Sequence, residues 1–478
     1  MITIIFGRAA QFLLALVMMR VATTLLSPEE MGRVSLILTT TAFFAWFLIN
    51  PVGMFINRRL LAWQAGGLAR HYLVFYVIYL LMVTLFAAVS LTVCYVLGLV
   101  SFGVTIGWLI FLVCGSLLFG TINQTVIPSL NFLGYSGRFV LLSVATIVVS
   151  FICATFLVKL MQPIAQFWLL GQMLGQMFIG AIGIIVLFGR LQPTNAFDTQ
   201  PVIHRRHLHT LFNYAWPVAI SAGLGWVQGQ GYRYLLEGEL GLAQLGLFVA
   251  GYGISAGMIA GFESVLTTYL QPRLYRDVSM TDGSDNQAKA WQRYASAVIP
   301  SLILTVAFVV MLAPELVRMF LGENFSSASD YVVWGALAEA ARVLIGVYSL
   351  IAHVYMRTNW LILPNILGAV LSIVLCIMLI PSFGAAGVGV ALVMSGFSVV
   401  FALHGLLARY VGGRVPVRPM FASSAFAVGL WIMMTVMRHL LDSTSRWSMV
   451  GSMLVISMMY LGMQYLCLRQ HLTEKSDI

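Results

Sequence analysis

Glu339 and Arg342 stand three residues apart in an otherwise apolar stretch, "WGALAEAARVLIGVYSL". On a helix that spacing puts a carboxylate and a guanidinium on neighbouring positions of one face, where they can pair and lower each other's cost of leaving water. Gly346 and Ser349 extend the same face. Three more ionisable residues interrupt apolar runs: Arg8 and Arg20 in the first, and Glu263 in the middle of the chain. A charge at the centre of a bilayer costs on the order of 2.5–3.5 kcal/mol on insertion scales, so each is a candidate for function. Guanidinium groups hold phosphates through several N–H donors, whereas carboxylates take up protons or cations. Arg20 and Arg342 are therefore candidate ligands for an anionic headgroup, and Glu263 and Glu339 candidate coupling sites. The competing reading of Glu339 and Arg342 is a buried pair that only fixes helix register. Arg342 becomes a phosphate ligand only when it is released from Glu339.

Arg8 and Arg20 differ by twelve positions, about 120° around an ideal helix, so they do not share a face. Arg8 reads as a side chain that snorkels to the nearest interface. Further along, "NYAWPVAISAGLGWVQGQGYRY" carries Pro217 and four glycines, which allow a helix to bend or break. Its Gln228, Gln230, Tyr232 and Arg233 offer donors to sugar hydroxyls or phosphate. Trp216 and Trp226 offer stacking surfaces, or belong to an interfacial aromatic belt. The histidines of "HRRHLHT" (His204, His207, His209) have a spacing that could hold a metal, but beside Arg205 and Arg206 they read as a solvated face. The five cysteines lie in or at the ends of apolar stretches and read as small core residues.

The elements that must position these groups are membrane helices. Of 478 residues, 60% are hydrophobic and 9% charged, against roughly 25% charged in soluble domains. Apolar runs near the ~20 residues needed to cross hydrocarbon recur from end to end. The expected fold is an all-α polytopic membrane protein with about 14 transmembrane helices, centred near residues 14, 45, 83, 113, 148, 176, 219, 254, 304, 342, 370, 396, 428 and 456. Numbering the loops in order, the even-numbered ones and the carboxyl tail hold seventeen of the 26 basic residues, and the odd-numbered ones six. The positive-inside bias places both termini in the cytoplasm, with an uncleaved first helix. A net charge of +10 is then mostly a topology signal facing anionic lipid, and no nucleic-acid partner is expected.

Setting "LSPEEMGRV" (26–34) over "LGLAQLGLF" (240–248) aligns Gly32 with Gly246 at an offset of 214 residues. Spans 1 and 2 then fall on spans 7 and 8. The expected organisation is an N-terminal six-helix lobe (1–190), a cytoplasmic linker (191–210), a C-terminal six-helix lobe (211–411), and two extra helices with a cytoplasmic tail (412–478). Six helices is an even number, so the halves share one orientation and enclose a midplane cavity open alternately to each side. At this offset Glu263 matches Ile49, beside Asn50. Asn50 and Glu263 are therefore candidate pseudo-symmetric polar points.

"PELVRMFLGENFSSASDYVVWGAL", "IPSFGAAGVGVALVMSGF" and the "LLSPEEMGRVSL" link resemble the polysaccharide transporter family, the Wzx-type flippases for lipid-linked oligosaccharide. That family sits in the multidrug/oligosaccharidyl-lipid/polysaccharide exporter superfamily. The resemblance implies export of a polyprenyl-diphosphate-linked sugar across the bacterial inner membrane. It also implies a polyprenyl groove at spans 13 and 14, and a polysaccharide polymerase and chain-length regulator as partners alongside membrane lipid. No nucleotide-binding P-loop is present and no cofactor is implied, so cycling is expected to be ion-coupled or driven by the substrate gradient. Two alternatives stand beside this reading. An ion-coupled exporter of cationic drugs would carry an acidic residue within spans 1 to 6, and their cores contain none. A membrane-embedded polymerase or ligase would display a large outward loop. Reporter fusions at both ends should read out as cytoplasmic; opposite signals at the two ends would contradict the fourteen-span count, and periplasmic signals at both would contradict the orientation.

Overall fold

The computed structural model describes residues 2–98, 102–191, 205–280, 284–355, 357–408, 417–440 and 446–473. His204, Arg409, Arg414, Lys475 and most of the expected 191–210 linker lie outside them. Among the described residues every long element is a helix and no strand occurs. Hydrocarbon offers no hydrogen bonds, so each spanning segment must satisfy its own backbone, and a helix does so.

Among the described residues eleven segments are long and apolar enough to cross a membrane. One of them, His209–Val278, is 70 residues long and holds two spans. There α8 (Arg205–Gln230) gives way to α9 (Tyr232–Met280) at Gly231, and α9 is itself broken at Gly241. With φ 80° and ψ 173°, Gly241 sits where a side chain would be strained. Shorter apolar helices cover Ala10–Leu25 and Leu454–Arg469. Each of the fourteen expected centres falls in a different helical stretch.

Contacts divide the chain into two compact units, Met1–Gly246 and Leu247–Ile478. The first holds α1 (Ile2–Leu25), α2 (Pro28–Phe44), α3 (Asn50–Ala65), α4 (Ala69–Val96), α5 (Ile106–Phe132), α6 (Ser136–Leu160), α7 (Ala165–Phe188), α8 and the start of α9. Packing thus counts span 7 with the first unit, whereas the repeat begins a second lobe with it. The reason lies in α2: the Trp226 indole donates to the Thr39 carbonyl at 3.1 Å, and the Thr40 and Tyr234 hydroxyls are 2.8 Å apart.

Between α2 and α3 the chain makes a π-helical turn, Ala45–Ile49. Pro51 explains it, because proline has no N–H and its ring conflicts with the carbonyl four residues back. The extra residue opens the ladder, and the Leu48 carbonyl accepts from the Tyr79 hydroxyl at 2.8 Å. Small residues bring α6 and α7 together: a Cβ on Gly171 would lie 2.6 Å from the Cys153 carbonyl carbon. Asn123 adds a polar node, donating to the Gln176 carbonyl at 2.6 Å and accepting from Thr146 at 3.1 Å.

The "LLSPEEMGRVSL" link is a knot of charge. Ser27 caps α2 by accepting from the Glu30 N–H at 3.3 Å. Arg33 pairs with Glu29 at 2.8 Å and with Glu30, and donates to the Phe102 carbonyl at 3.0 Å. The other Glu30 oxygen accepts at 2.7 Å from the N–H of Ala165, where a carboxylate also meets the positive end of the α7 dipole. Its Gly32 lies against the Leu242 backbone, and Gly246 against that of Pro28. A Cβ on Gly246 would also stand 2.9 Å from the Gly32 nitrogen. The two glycines aligned by the 214-residue offset therefore touch.

The second unit contains the rest of α9, α10 (Ser284–Met311), α11 (Ala313–Phe320), α12 (Ser329–Val354), α13 (Ile362–Phe383), α14 (Ala385–Leu407), α15 (Val417–Leu440) and α16 (Arg446–Thr473). α13 and α14 form a hairpin turned at Gly384 (φ 59°). α15 and α16 pack on α10, where Gln464 donates to the Ser301 carbonyl at 2.9 Å and Tyr460 lies 3.0 Å from Thr305.

A side chain at Gly32 or Gly246 forces backbone apart. Gly32→Val and Gly246→Val should each cost on the order of 1–3 kcal/mol by overpacking and lower the melting temperature in detergent. Gly225→Ala, where a Cβ meets nothing within 4 Å, should leave it unchanged or slightly raised. Equal melting of all four proteins would contradict the crossing described here.

Candidate functional site

Three of the candidate residues meet in the second unit. Arg342 donates through Nε to Glu339 Oε2 at 2.6 Å and through Nη2 to Glu263 Oε2 at 2.7 Å. The i,i+3 spacing on α12 delivers the first contact, as the sequence pattern predicts. The second joins α12 to α9 across 79 residues of chain, and no local pattern shows it. Tyr252, also on α9, donates to Glu339 Oε1 at 2.7 Å, so both oxygens of that carboxylate are bonded. Sequence reasoning missed Tyr252, because an aromatic among aromatics and small apolar residues carries no signal of its own.

The three charges differ in exposure. The Glu339 side chain is 8% exposed, that of Glu263 25% and that of Arg342 47%. Glu339 is the buried anchor, and Arg342 reaches outward from it. Its guanidinium has five N–H donors. Two are used here, and the Nη1 pair has no hydrogen-bond acceptor among the described residues. Beside the cluster is a cavity of about 250 Å³ whose lining includes Glu263, Thr267, Gln271, Tyr294 and Gly346. Gly346 leaves room for the carboxylate: a Cβ there would lie 3.9 Å from Glu263 Oε1. The arrangement can present N–H donors to an anion, and it can exchange a proton or cation at Glu263. With both carboxylates ionised it carries one net negative charge.

The remaining candidates lie in the first unit. Arg233 donates to the Thr39 hydroxyl at 2.7 Å and to the Tyr232 hydroxyl at 3.4 Å, which ties the beginning of α9 to α2. Tyr232 is buried, and Gln228 and Gln230 are half-buried. The Gln230 Oε1 atom is buried with no hydrogen-bond partner among the described residues. Arg20 is half-buried on α1, five residues before its end, and its carbonyl accepts from Thr24 at 2.7 Å and Thr23 at 3.2 Å. Asn50 is exposed at the start of α3, directly after the π-helical turn. Glu263, which the repeat matches to Ile49 beside Asn50, is engaged by Arg342 within its own unit. Arg8 is exposed and, among the described residues, reaches Gln11 at 3.4 Å and the Phe139 ring. His209 meets Asn213 at 3.2 Å, and no metal-binding group of histidine, cysteine and carboxylates occurs among the described residues.

Glu339 is buried and doubly bonded, so Glu339→Gln should destabilise the protein by ~1–3 kcal/mol, the cost of leaving charge-assisted bonds unmade. Glu263→Gln, on the cavity side, should cost less. Thermal melting of the two variants at neutral pH checks the order; the reverse order would contradict the anchor role of Glu339.

No family model matches the chain, and no curated protein matches it in sequence. Among solved structures it is similar to a lipid II flippase, MurJ, in an inward closed conformation. That likeness has a TM-score of 0.69 at 14% identity, over 98% of this chain and 99% of the other. It is also similar to an inward-facing multidrug resistance MATE family transporter of the MOP superfamily, with a TM-score of 0.62 at 14% identity over 85% of this chain and 98% of that one. An outward-facing MATE transporter gives 0.56 at 13% identity, over 86% and 94%. At such identities the likeness is one of fold: the chain is a multi-pass, all-α membrane protein folded as these flippases and transporters are.

Proposed function

We propose that the protein translocates a polyprenyl-diphosphate-linked oligosaccharide, an O-antigen or exopolysaccharide repeat unit, across the bacterial inner membrane by alternating access. The observation that carries this reading is the Arg342–Glu263 contact inside a membrane-spanning unit: Arg342 is half-exposed with N–H donors unbonded among the described residues, and the Glu263 it holds lines a cavity of about 250 Å³. A diphosphate and its sugars cannot cross hydrocarbon without replacement for their hydration, whereas the lipid tail never has to leave the bilayer. A guanidinium already in place offers the phosphate charge-assisted bonds. The fold shared with a lipid II flippase supports a lipid-linked cargo.

Charge balance links transport to an ion. Binding of a proton or cation at Glu263 cancels one negative charge and releases the Nη2 donor of Arg342, so the cluster gains affinity for an anion. Departure of that ion restores the clamp and lowers the affinity again. By linkage, the anion must strengthen ion binding by the same factor. Glu339, held by Tyr252, keeps Arg342 in place throughout. Arg20 and Arg233 receive or release the headgroup nearer the outer side, with Gln228, Gln230, Tyr232 and Asn50 as sugar contacts. The lobes 1–190 and 211–411 rock about the cargo, and 412–478 accompanies its chain. Contact between Gly32 and Gly246, equivalent positions of the repeat, supports this two-lobed reading. Both termini lie in the cytoplasm, and a polysaccharide polymerase and chain-length regulator act on the product.

A second reading, an ion-coupled exporter of cationic compounds, is favoured by the net negative charge of the cluster and by the likeness to multidrug transporters. Purified protein in vesicles separates the two readings. Labelled lipid-linked oligosaccharide should cross between leaflets, and Arg342→Ala and Arg20→Ala should each slow it at least about tenfold at normal protein abundance, the loss of ~1.4 kcal/mol. Wild-type rates in both variants would remove the assignment, and transport of organic cations in place of the oligosaccharide would establish the second reading.

A further inference from the structure

The first unit contains a cavity of about 280 Å³ enclosed by α3, α4 and the beginning of α8. The geometry points to a binding site for a single-chain lipid phosphate, its hydrocarbon between α3 and α4 and its phosphate on Arg59. Three observations carry the assignment.

The walls are aromatic and present ring surface. Trp63 and Tyr72 stack at 3.9 Å with planes 11° apart, and Phe55 meets the Trp63 edge at 6.2 Å. Tyr76 and Tyr79 also line the space, but their hydroxyls are engaged elsewhere, by Thr125 at 3.1 Å and by the Leu48 carbonyl at 2.8 Å. Their rings are left for an apolar guest. At about 280 Å³ the space lies near the lower end of the ~300–1,000 Å³ typical of ligand sites, room for part of one chain and not for two.

The opening faces hydrocarbon. Phe75, Ile78 and Met82 line the cavity from α4, and the same residues are 37%, 45% and 58% exposed. They are spaced three and four apart on a helix whose apolar length crosses a membrane, so what enters there comes from the bilayer.

The polar end is cationic. Arg59 lines the cavity, is exposed, and lies 5.8 Å from the Phe55 ring centroid. Among the described residues it makes no ion pair, and the Tyr72 hydroxyl beside it has no hydrogen-bond partner. A guanidinium and a phenol at the mouth of an apolar slot match a phosphate at the head of one chain. The site is separate from the Arg342 cluster, and it rests on the proposed function only in treating that chain as the cargo's own.

Photolabelling of the full-length protein in lipid nanodiscs tests this, with a diazirine-bearing farnesyl phosphate as the probe. The label should fall on peptides covering residues 52–82, and unlabelled farnesyl phosphate should displace it at least tenfold more effectively than farnesol. Arg59→Gln should erase that tenfold preference. Ile78→Trp, an exposed position from which an indole fills the slot, should reduce labelling at least fivefold in protein that stays monodisperse. Met82→Trp should do the same and stands in should the first variant misfold. Labelling outside α3, α4 and the beginning of α8, equal displacement by farnesol, or displacement by two-chain phosphatidylglycerol as strong as by farnesyl phosphate would each overturn the assignment. Intact labelling in a protein that moves no oligosaccharide would uphold this site while removing the transport reading.

Discussion

A guanidinium held between two carboxylates inside a membrane-spanning unit is the constraint that the functional account depends on. Moving ions out of water is costly, and replacing a buried ion pair by apolar residues is often neutral or stabilising. Stability alone therefore gives no reason to keep Glu263, Arg342 and Glu339. Their exposures run from 8% at Glu339 to 47% at Arg342, a gradient from anchor to open face. Arg342 leaves its Nη1 pair without a hydrogen-bond acceptor among the described residues, so donors remain beyond those that tie α12 to α9.

The surrounding structure is arranged to hold polar groups still where water is scarce. In the second unit Tyr252 completes the bonding of Glu339, and Gln464 fastens α16 to α10 through a backbone carbonyl and a threonine hydroxyl. In the first, Thr39, Thr40 and Thr41 each return a hydroxyl bond to the carbonyl four residues back. Two of those hydroxyls also serve Arg233 and Tyr234. In the π-helical turn before Pro51 the Leu48 carbonyl likewise accepts from the Tyr79 hydroxyl of α4.

Much of this is legible in the sequence, and what is legible has a short-range cause. Helix count follows from apolar length, so each expected span centre found its own helix, Gly241 marking the division within the longest segment. Glu339 and Arg342 could be paired because i,i+3 geometry is local. The Glu263 contact could not, since it joins residues 79 apart and depends on how two helices cross. Tyr252 and the Asn123 node are invisible for the same reason. The punctuation shared by the two halves is readable as similar sequence. That its glycines touch, and that Glu30 reaches across to cap α7, required the folded chain. The triple threonine of α2, Thr39 to Thr41, is a local pattern visible in the sequence, whereas the groups it bonds on α9 come from far along the chain.

The central claim is that Glu263, held by Arg342, opens on a wet chamber that accepts an anion, and the cavity side of Gly346 offers the most direct measurement. A cysteine placed there, in a protein whose five native cysteines are replaced, would carry its Cβ 3.9 Å from Glu263 Oε1, on the lining of the cavity. The account predicts rapid modification by a charged, membrane-impermeant thiol reagent, slowed by added lipid-linked diphosphate. Modification only by a membrane-soluble maleimide, unaffected by that lipid, would mean that the cluster lies against hydrocarbon and would contradict the account.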